Sequence, residues 1–263
     1  MSFERGRPSA RDTQAQYARH ARRYAESGLH RRGESLETVR SLASATPTDR
    51  ALDIGTGTGF TAFALAGDGA SVLAVDLTPE MLAEGRRLAA EMGLEAKLNW
   101  LLAVAERLPI PDDTFPVVTC RYASHHFHDL PRALREMARV VRPGGRFVLC
   151  DVVAPQAPEL VQLMNKLEQL RDPSHVWDYP VSQWRQELLP AAGLELLEVV
   201  PGKNPQLFSE WVHRAGTPPN AVEQLVKLFE EASRQEQPPF DARLEGAEIF
   251  FSWDNVTILA TKR

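Results

Sequence analysis

The sequence predicts an α/β fold built on a doubly wound, mostly parallel sheet. Short apolar segments of strand length alternate with segments of helix length between residues 46 and 154, and a glycine-rich turn follows the first predicted strand. Strands that alternate with helices form parallel sheets with right-handed crossovers. Near the C-terminus, two apolar segments flank Asp254-Asn255. They predict two more strands and an antiparallel C-terminal strand in the sheet.

The individual elements follow from periodicity and from glycine and proline signals. Strands are predicted at 50–54, 71–76, 97–103, 115–122, 146–153, 194–200, 247–253 and 255–262. Helices are predicted at 12–28, 34–45, 58–69, 79–93, 131–140, 158–170 and 181–192, and over 207–236 with an interruption at 216–219. Proline at the first turn of 79–93 and glycine at its end illustrate the signals used.

The elements divide the chain into four parts. Residues 1–45 are expected to form an N-terminal helical cap, and 46–154 the ligand-binding core. Residues 155–192 are expected to form a helical lid insertion. Residues 193–263 should complete the core sheet and carry the helical insertion 207–236.

Composition limits the function classes. The 263 residues are 43% hydrophobic and 25% charged, with a net charge of −5, which disfavours a strongly basic nucleic-acid groove. The Lys and Arg residues are scattered along the sequence and are expected to lie on solvated faces. The polar N-terminus predicts no signal peptide, and no apolar run approaches the roughly 20 residues that span a bilayer. Cys120 and Cys150 lie in apolar strands and are expected to be reduced core residues, which favours a cytoplasmic location.

The sharpest signal is the turn after the first strand, which contains Gly55, Gly57 and Gly59 between two carboxylates. Asp76 ends the next strand and can accept the hydroxyls of a ribose. Dinucleotide sites share such a turn, but their glycines follow G-x-G-x-x-G. Here the third glycine comes one position early, and Asp53 would repel a pyrophosphate. The pattern therefore favours S-adenosylmethionine (SAM), which carries an ammonium group and no phosphate; a dinucleotide and a purely structural turn stay open.

Four segments resemble class I SAM-dependent methyltransferases of the type 11, UbiE-like group. They are LDIGTGTGFTAFALA at 52–66, VLAVDLTPEML at 72–82, AERLPIPDDTFPVVTCRYASHHF at 105–127 and ALREMARVVRPGGRFVLCD at 133–151. The segment RDPSHV and the C-terminal region resemble a bacterial YcgJ-type subgroup. The resemblance implies a Rossmann-like fold and specifies the cofactor more closely than the substrate.

The resemblance implies which positions bind SAM. They are Asp53, Gly55, Thr56, Gly57, Gly59, Asp76, Leu77, Met81, Ala105, Glu106 and Arg121. It implies that the turn surrounds the methionine part and that Asp53 orients the amino group through water or backbone. Asp76 would hold the ribose, and Ala105 and Glu106 would lie at the edge of the adenine.

Histidine is the natural general base near neutral pH. His125 and His126 follow the fourth predicted strand of the core, next to the expected methyl group, and His175 lies in the predicted lid. These three are the candidate catalytic residues, and packing is the competing interpretation for each. Tyr17 and other tyrosines are candidates to face the cationic donor. No metal site is expected.

The sequence therefore predicts a SAM-dependent methyltransferase that acts on an O, C or N atom of a small, moderately apolar molecule. An NAD(P)-dependent oxidoreductase and a non-catalytic SAM-binding protein are the alternatives. The expected partner is a small-molecule acceptor, with no nucleic acid and no stable membrane insertion. A homo-oligomer is compatible with the sequence.

Overall fold

The computed structural model describes residues 8–26, 31 and 33–263, and its centre is one eight-stranded sheet. The strands are β1 Arg50–Ile54, β2 Ser71–Asp76, β3 Leu98–Leu102, β4 Phe115–Arg121, β5 Val141–Val152, β6 Leu194–Leu207, β7 Arg243–Glu245 and β8 Glu248–Lys262. Their order is β3-β2-β1-β4-β5-β8-β6, and β7 pairs with β8.

The helices cover both faces of this sheet and the edge at the carboxyl ends of its parallel strands. They are α1 Ala10–Glu26, α2 Glu34–Ala43, α3 Phe60–Gly67, α4 Pro79–Glu91, α5 Leu130–Val140, α6 Pro158–Arg171, α8 Phe208–Ala215 and α9 Pro219–Ser233. The helical segment α7 joins Val181–Gln183, a π-helical stretch Trp184–Leu188 and Leu189–Ala191. None of the helices in these described ranges is both long enough and apolar enough to cross a membrane.

The topology confirms the predicted α/β, mostly parallel sheet. Strands β1 to β5 pair in parallel, whereas β8 runs antiparallel between β5 and β6. The chain order reverses between the neighbours β1 and β4. Ligands bind outside the carboxyl ends of strands at such a reversal. The glycine turn after β1 and the histidines after β4 are thereby brought to one edge.

Apolar side chains on both faces explain why the central strands are continuous hydrophobic runs. Every residue of β4 is buried, as expected for a central parallel strand covered on both sides. On one face Leu52 and Phe147 pack with α5 and α7; on the other, Ala51 and Val148 pack with α2 and α3. Cys120 and Cys150 are buried free thiols within these layers.

A third cluster forms a roof over the carboxyl edge of the sheet. The roof consists of α6, α8, α9 and the first half of β8, with the second half of β6 paired beside it, and Trp211, Phe229 and Trp253 fill its centre. Ring centroids of Trp211 and Phe229 lie 5.9 Å apart in an edge-to-face arrangement, a favourable aromatic geometry. Helix α1 packs against α4 and α8 and so borders the roof on the side of β2 and α4.

The prediction of two strands around Asp254-Asn255 is wrong, because β8 runs without a break from 248 to 262. These residues favour turns, but pairing on both sides keeps them extended. Asn255 is paired with Gly202 of β6 and with Val152 of β5. Lys203 also binds Asp254 at 2.8 Å. The same pairing carries β6 to residue 207, well beyond the predicted end at 200.

The parts predicted to form one lid pack in two places. Helix α6 belongs to the roof, whereas α7 buries Trp184 and Leu189 in the core below the sheet. Helix α1 ends at Glu26, and the predicted helix end at 27–28 lies outside the described residues. The division into cap, core and lid stays a prediction.

Candidate active site

A tight turn connects β1 to α3, and all three of its glycines adopt positive φ. Gly55 has φ +64°, and a Cβ atom on it would lie 2.4 Å from the Cβ of Ala123. Gly57 has φ +55°, and nothing lies within 4 Å of the place its Cβ would take. The turn therefore packs closely on one side and presents backbone to open space on the other, where a ligand can approach.

Asp53 supports this turn from below. Its Oδ2 accepts a hydrogen bond from Thr56 Oγ1 at 2.6 Å, and its Oδ1 accepts one from Thr119 Oγ1 at 2.7 Å. Burial raises the pKa of Asp53 to about 6, although both hydroxyls oppose the shift. The side chain does not line the neighbouring cleft. Any influence of Asp53 on a ligand is therefore exerted through the turn.

Asp76 ends β2 and connects two backbone segments beside the turn. Its Oδ2 accepts from the amide of Gly57 at 2.8 Å, and its Oδ1 accepts from the amide of Thr78 at 2.9 Å. Burial raises the pKa of this carboxyl group, and the amide bonds oppose that shift. Each carboxylate oxygen keeps a further lone pair for a ligand hydroxyl.

One cleft of about 1170 Å³, partly open to solvent, begins at the turn and continues under the roof. Nine of the predicted site residues line it: Gly55, Thr56, Gly57, Asp76, Leu77, Met81, Arg121, His125 and His126. Strands β1 and β2 lie on one side of β4, and β5, β8 and β6 lie on the other. Residues from both sides line the cleft, so it spans the position between β1 and β4 where the chain order reverses. The half at β1 and β2 is called the cofactor half and the half under the roof the acceptor half.

Five predicted residues do not line the cleft: Asp53, Gly59, Ala105, Glu106 and His175. A Cβ on Gly59 would lie 2.8–2.9 Å from the rings of Phe63 and Trp100, so this glycine permits close packing. Glu106 Oε1 lies 2.7 Å from Nδ1 of His128. A role for Ala105 and Glu106 at the adenine edge stays a prediction.

Arg121 reaches the cleft from the end of β4. Its Nε donates to Thr61 Oγ1 at 3.0 Å and its Nη1 to Ser35 Oγ at 3.3 Å. These bonds tie α2 and α3 to the strand end, so Arg121 braces the wall beside the turn as well as lining it.

His125 forms an ion pair at the centre of the cleft. Its Nδ1 lies 2.6 Å from Asp151 Oδ1, and Ser124 Oγ donates to the other carboxylate oxygen. Burial alone would lower the pKa of His125, but the Asp151 carboxylate outweighs it and raises the pKa to about 9. His125 is therefore a cation at neutral pH and a poor general base.

Unlike its neighbour His125, His126 is neutral at pH 7. Burial, and then the charge of His125, hold its pKa below the ordinary value. Its Nδ1 lies 3.1 Å from the carbonyl oxygen of Ser174 and can only donate there. Nε2 is thereby left as an acceptor, and it lies 2.5 Å from the hydroxyl of Tyr17 on α1. His126 thus presents an acceptor nitrogen to Tyr17, and both residues line the cleft.

His175 is buried behind these two residues. Its Nε2 lies 2.8 Å from Asn165 Oδ1, and Asn165 Oδ1 also accepts from the amide of Asp178. Burial, and then the charge of His125, keep its pKa well below the ordinary value. The structure places His175 in a supporting network of the roof, away from the cleft surface.

Six polar residues of the acceptor half were missed from the sequence: Glu168, Arg171, Asp178, Asn204, Gln206 and Arg214. The expectation that all remaining basic residues form solvated faces is wrong for Arg171, which is buried at the end of α6. One available signal was helical spacing, because Arg214 follows Trp211 by three residues and shares its helix face. Among the residues that the structure describes, no group of three or more His, Cys, Asp or Glu could hold a metal ion.

Comparison with known proteins places these features in context. The methyltransferase type 11 model, described as a methyltransferase domain, matches residues 52–149. The uncharacterised methyltransferase YcgJ of Bacillus subtilis (strain 168) is 35% identical over 249 residues, which are 94% of this chain and 98% of that protein.

A solved structure and a more distant relative are also methyltransferases by name. The crystal structure of YcgJ superposes with a TM-score of 0.82 at 36% identity and covers 87% of this chain and 98% of its own. The ubiquinone/menaquinone biosynthesis C-methyltransferase UbiE of Vibrio campbellii is 37% identical over 131 residues, 49% of this chain and 50% of that protein. The similarity to YcgJ thus extends over nearly the whole chain, whereas that to UbiE covers half.

Proposed function

This chain belongs to the methyltransferase type 11 family of SAM-dependent methyltransferases, and from that premise we propose that it methylates an O, N or C atom of a small, moderately apolar molecule. The observation that carries the proposal is one cleft shared by the Gly55–Gly57 turn, Asp76 and the Tyr17–His126 pair. The first two suit the methyl donor, and the pair suits a reacting acceptor.

The residues of the cofactor half fit SAM. The open side of Gly57 admits the methionine part without a Cβ in its way. Asp76 keeps lone pairs for the ribose hydroxyls. Leu77 and Met81 line the cleft beside Asp76 and provide apolar walls for a purine. Among the described residues that line the cleft, Arg121 is the only cationic side chain near the turn that could bind a diphosphate.

When bound, SAM supplies a methyl group on a sulfonium centre, and the protein must hold the acceptor in line with it. Such orientation is worth on the order of 7–11 kcal/mol of the barrier. Trp211 and Trp253 line the acceptor half and give an apolar acceptor a rigid wall. Helix α1 covers the cleft, with Gln14 Nε2 donating to the carbonyl of Leu77 at 2.8 Å, and limits access of water.

His126 and Tyr17 can remove a proton from an acceptor that carries one. An acceptor X–H would donate to the Tyr17 oxygen while the Tyr17 hydroxyl passes its proton to Nε2 of His126. The Nδ1–H of His126 stays on the Ser174 carbonyl, so the base keeps one orientation throughout. The charged His125 is held on Asp151 and lines the same wall. General bases contribute about 10²–10⁴-fold, and because the pKa of His126 is lowered to about 4, we expect its contribution at the lower end of this range.

Calorimetry with S-adenosylhomocysteine (SAH) and with NADH tests this proposal against an oxidoreductase. The proposal expects SAH to bind and NADH not to bind; NADH binding without SAH binding would refute it. A screen of metabolite extracts for SAH release then separates an enzyme from a non-catalytic SAM-binding protein. Release that depends on one acceptor supports the enzyme, whereas tight SAH binding without turnover on any fraction favours the binding protein.

A further inference from the structure

Arg214 brings a positive charge into the acceptor half without a matching carboxylate. It lies on α8 and lines the cleft. Its Nη2 donates to Gln206 Oε1 at 2.9 Å, a neutral partner. Its Nε is shielded from solvent and has no hydrogen-bond partner among the residues described. None of the ion pairs within the described ranges includes Arg214.

The neighbouring arginine shows what a compensated cation looks like in this cleft. Arg171 Nη1 binds Glu168 at 3.1 Å, its Nε donates to the carbonyl of Trp211 at 3.1 Å, and its guanidinium lies 5.2 Å from the Trp211 ring centroid. Glu168 therefore balances Arg171. Burial, and then the charge of Arg171, lower the pKa of Arg214 to about 10, so Arg214 is still protonated at neutral pH.

The other titratable groups of the acceptor half do not balance Arg214. Asp178 lines the cleft, but burial raises its pKa well above the ordinary value, which favours the neutral acid. The charge of His125 is balanced by Asp151. The carboxylate of Glu168 acts on both arginines but forms an ion pair with Arg171 alone, so Arg214 has no ion-pair partner of its own among the described residues.

A second donor in the same half also lacks a partner. Trp253 lines the cleft from β8, and its indole Nε1 is buried with no acceptor among the described residues. Unsatisfied buried donors are rare in native proteins. The amides of Asn204 and Gln206 line the same region, and Gln206 Nε2 donates to Asn204 Oδ1 at 2.7 Å, which fixes the Gln206 oxygen on Arg214.

We propose that the acceptor half binds an oxyanion of the methyl acceptor, a carboxylate or a phosphate, with Arg214 as its charge partner and the Trp253 indole as a further donor. This inference rests on the proposed function, since it names the class of acceptor that the same cleft takes. A guanidinium matches the geometry of both oxyanions by two parallel N–H bonds. The anion anchors the acceptor under the roof, and its apolar body then lies along Trp211 toward Tyr17 and His126.

The test uses the SAH complex of the full chain and three probes of one size: benzoate, phenyl phosphate and benzamide. Binding is followed by tryptophan fluorescence, because Trp211 and Trp253 line the site, and by calorimetry. At least one anion is expected to bind about ten-fold more tightly than benzamide, a difference of roughly 1.4 kcal/mol. The better of the two anions identifies the oxyanion.

Variants attribute the preference to Arg214. Arg214→Met should reduce the preference for the anion to within about two-fold, whereas Arg185→Met, at an exposed position of α7, should keep it. Arg214→Lys keeps the charge without the planar fork and should give an intermediate preference. Thermal unfolding of Arg214→Met serves as the folding control and is expected to stay cooperative, because the variant breaks no ion pair and loses only the hydrogen bond to Gln206.

Equal binding of benzamide and the anions, no binding of either anion, or an unchanged preference in Arg214→Met would overturn the inference. SAH binding is measured first and separately on every variant. If the wild type does not bind SAH, the result counts against the proposed function. If it binds SAH but shows no preference for anions, the result counts only against the oxyanion site.

Discussion

The hydroxyl of Tyr17 lies 2.5 Å from Nε2 of His126, although 109 residues separate them in the chain. Tyr17 belongs to the helix that precedes the sheet, and His126 follows the fourth strand. Helix α1 therefore covers the cleft and at the same time contributes Tyr17 to the proposed proton path.

Removal of this hydroxyl should slow turnover and leave donor binding intact. Tyr17→Phe and His126→Asn are each expected to lower kcat by about 10²-fold, the lower end for a general base, for an acceptor that must lose a proton. The SAH dissociation constant should stay within about two-fold of wild type. The measurement is steady-state kinetics with the acceptor found by SAH release, and His213→Asn, exposed on α8, is the matched control. Unchanged kcat in both variants would remove the pair from the mechanism.

Replacement of Asp76 by alanine should weaken SAH binding. The variant would lose two expected ribose hydrogen bonds to an ionised acceptor, each worth about 1.5–3 kcal/mol, so the dissociation constant should rise at least about hundred-fold. Calorimetry measures this effect, and thermal unfolding checks the turn, because Asp76 also holds the amides of Gly57 and Thr78. Glu95→Ala, an exposed carboxylate elsewhere, is the control. An unchanged dissociation constant for Asp76→Ala would refute the assignment.

The ion pair of His125 and Asp151 predicts a pH-dependent stability. Because the folded pKa of His125 is raised to about 9, its contribution is fully present below its unfolded pKa of about 6.5 and is lost as pH rises toward 9. The difference in free energy of unfolding between wild type and His125→Gln should therefore be largest near pH 6, on the order of 3 kcal/mol.

Chemical denaturation at several pH values measures this difference. The charge of His125 itself helps to lower the pKa values of His126 and His175, so the variant does not cancel their contributions at acidic pH. Between about pH 7.5 and 9 both are neutral in the folded and the unfolded state, so a change of the difference over this range reports His125. A difference that is constant over this range would contradict the assigned ion pair.

The two glycines of the turn should respond differently to alanine. Gly55→Ala adds a clash with Ala123 to the strain of positive φ, and overpacking of this kind costs about 1–3 kcal/mol beyond the strain. Gly57→Ala bears only the strain, about 1–2 kcal/mol, but places a methyl group in the open space of the cleft. We expect Gly55→Ala to lose more stability, and Gly57→Ala to lose SAH affinity while it folds. The reverse order in the unfolding and binding data would show that the turn faces the other way.

Local signals predicted most of the fold. The bounds of β1 and β2 agree with the predicted 50–54 and 71–76, since an apolar strand between turn residues is a short-range pattern. The turn and Asp76 could also be located, because their spacing is fixed by one strand-turn-helix-strand unit. The continuous β8 could not, because its Asp254-Asn255 is held extended by Lys203 and Gly202, which lie about fifty residues earlier.

The acceptor half was largely hidden for the same reason. Arg171, Arg214 and Tyr17 lie on three helices that are distant in sequence, and only tertiary packing brings them to one cleft. The sequence also does not show which histidine is protonated at neutral pH. His125 and His126 are adjacent in sequence, yet Asp151 makes one a cation while burial keeps the other neutral.

The most direct measurement is a crystal structure of the SAH complex. The account predicts the ribose hydroxyls on the Asp76 carboxylate, the homocysteine part at the Gly55–Gly57 turn and the sulfur directed toward Tyr17 and His126. SAH bound away from Asp76, or a turn that grips a diphosphate instead, would contradict it.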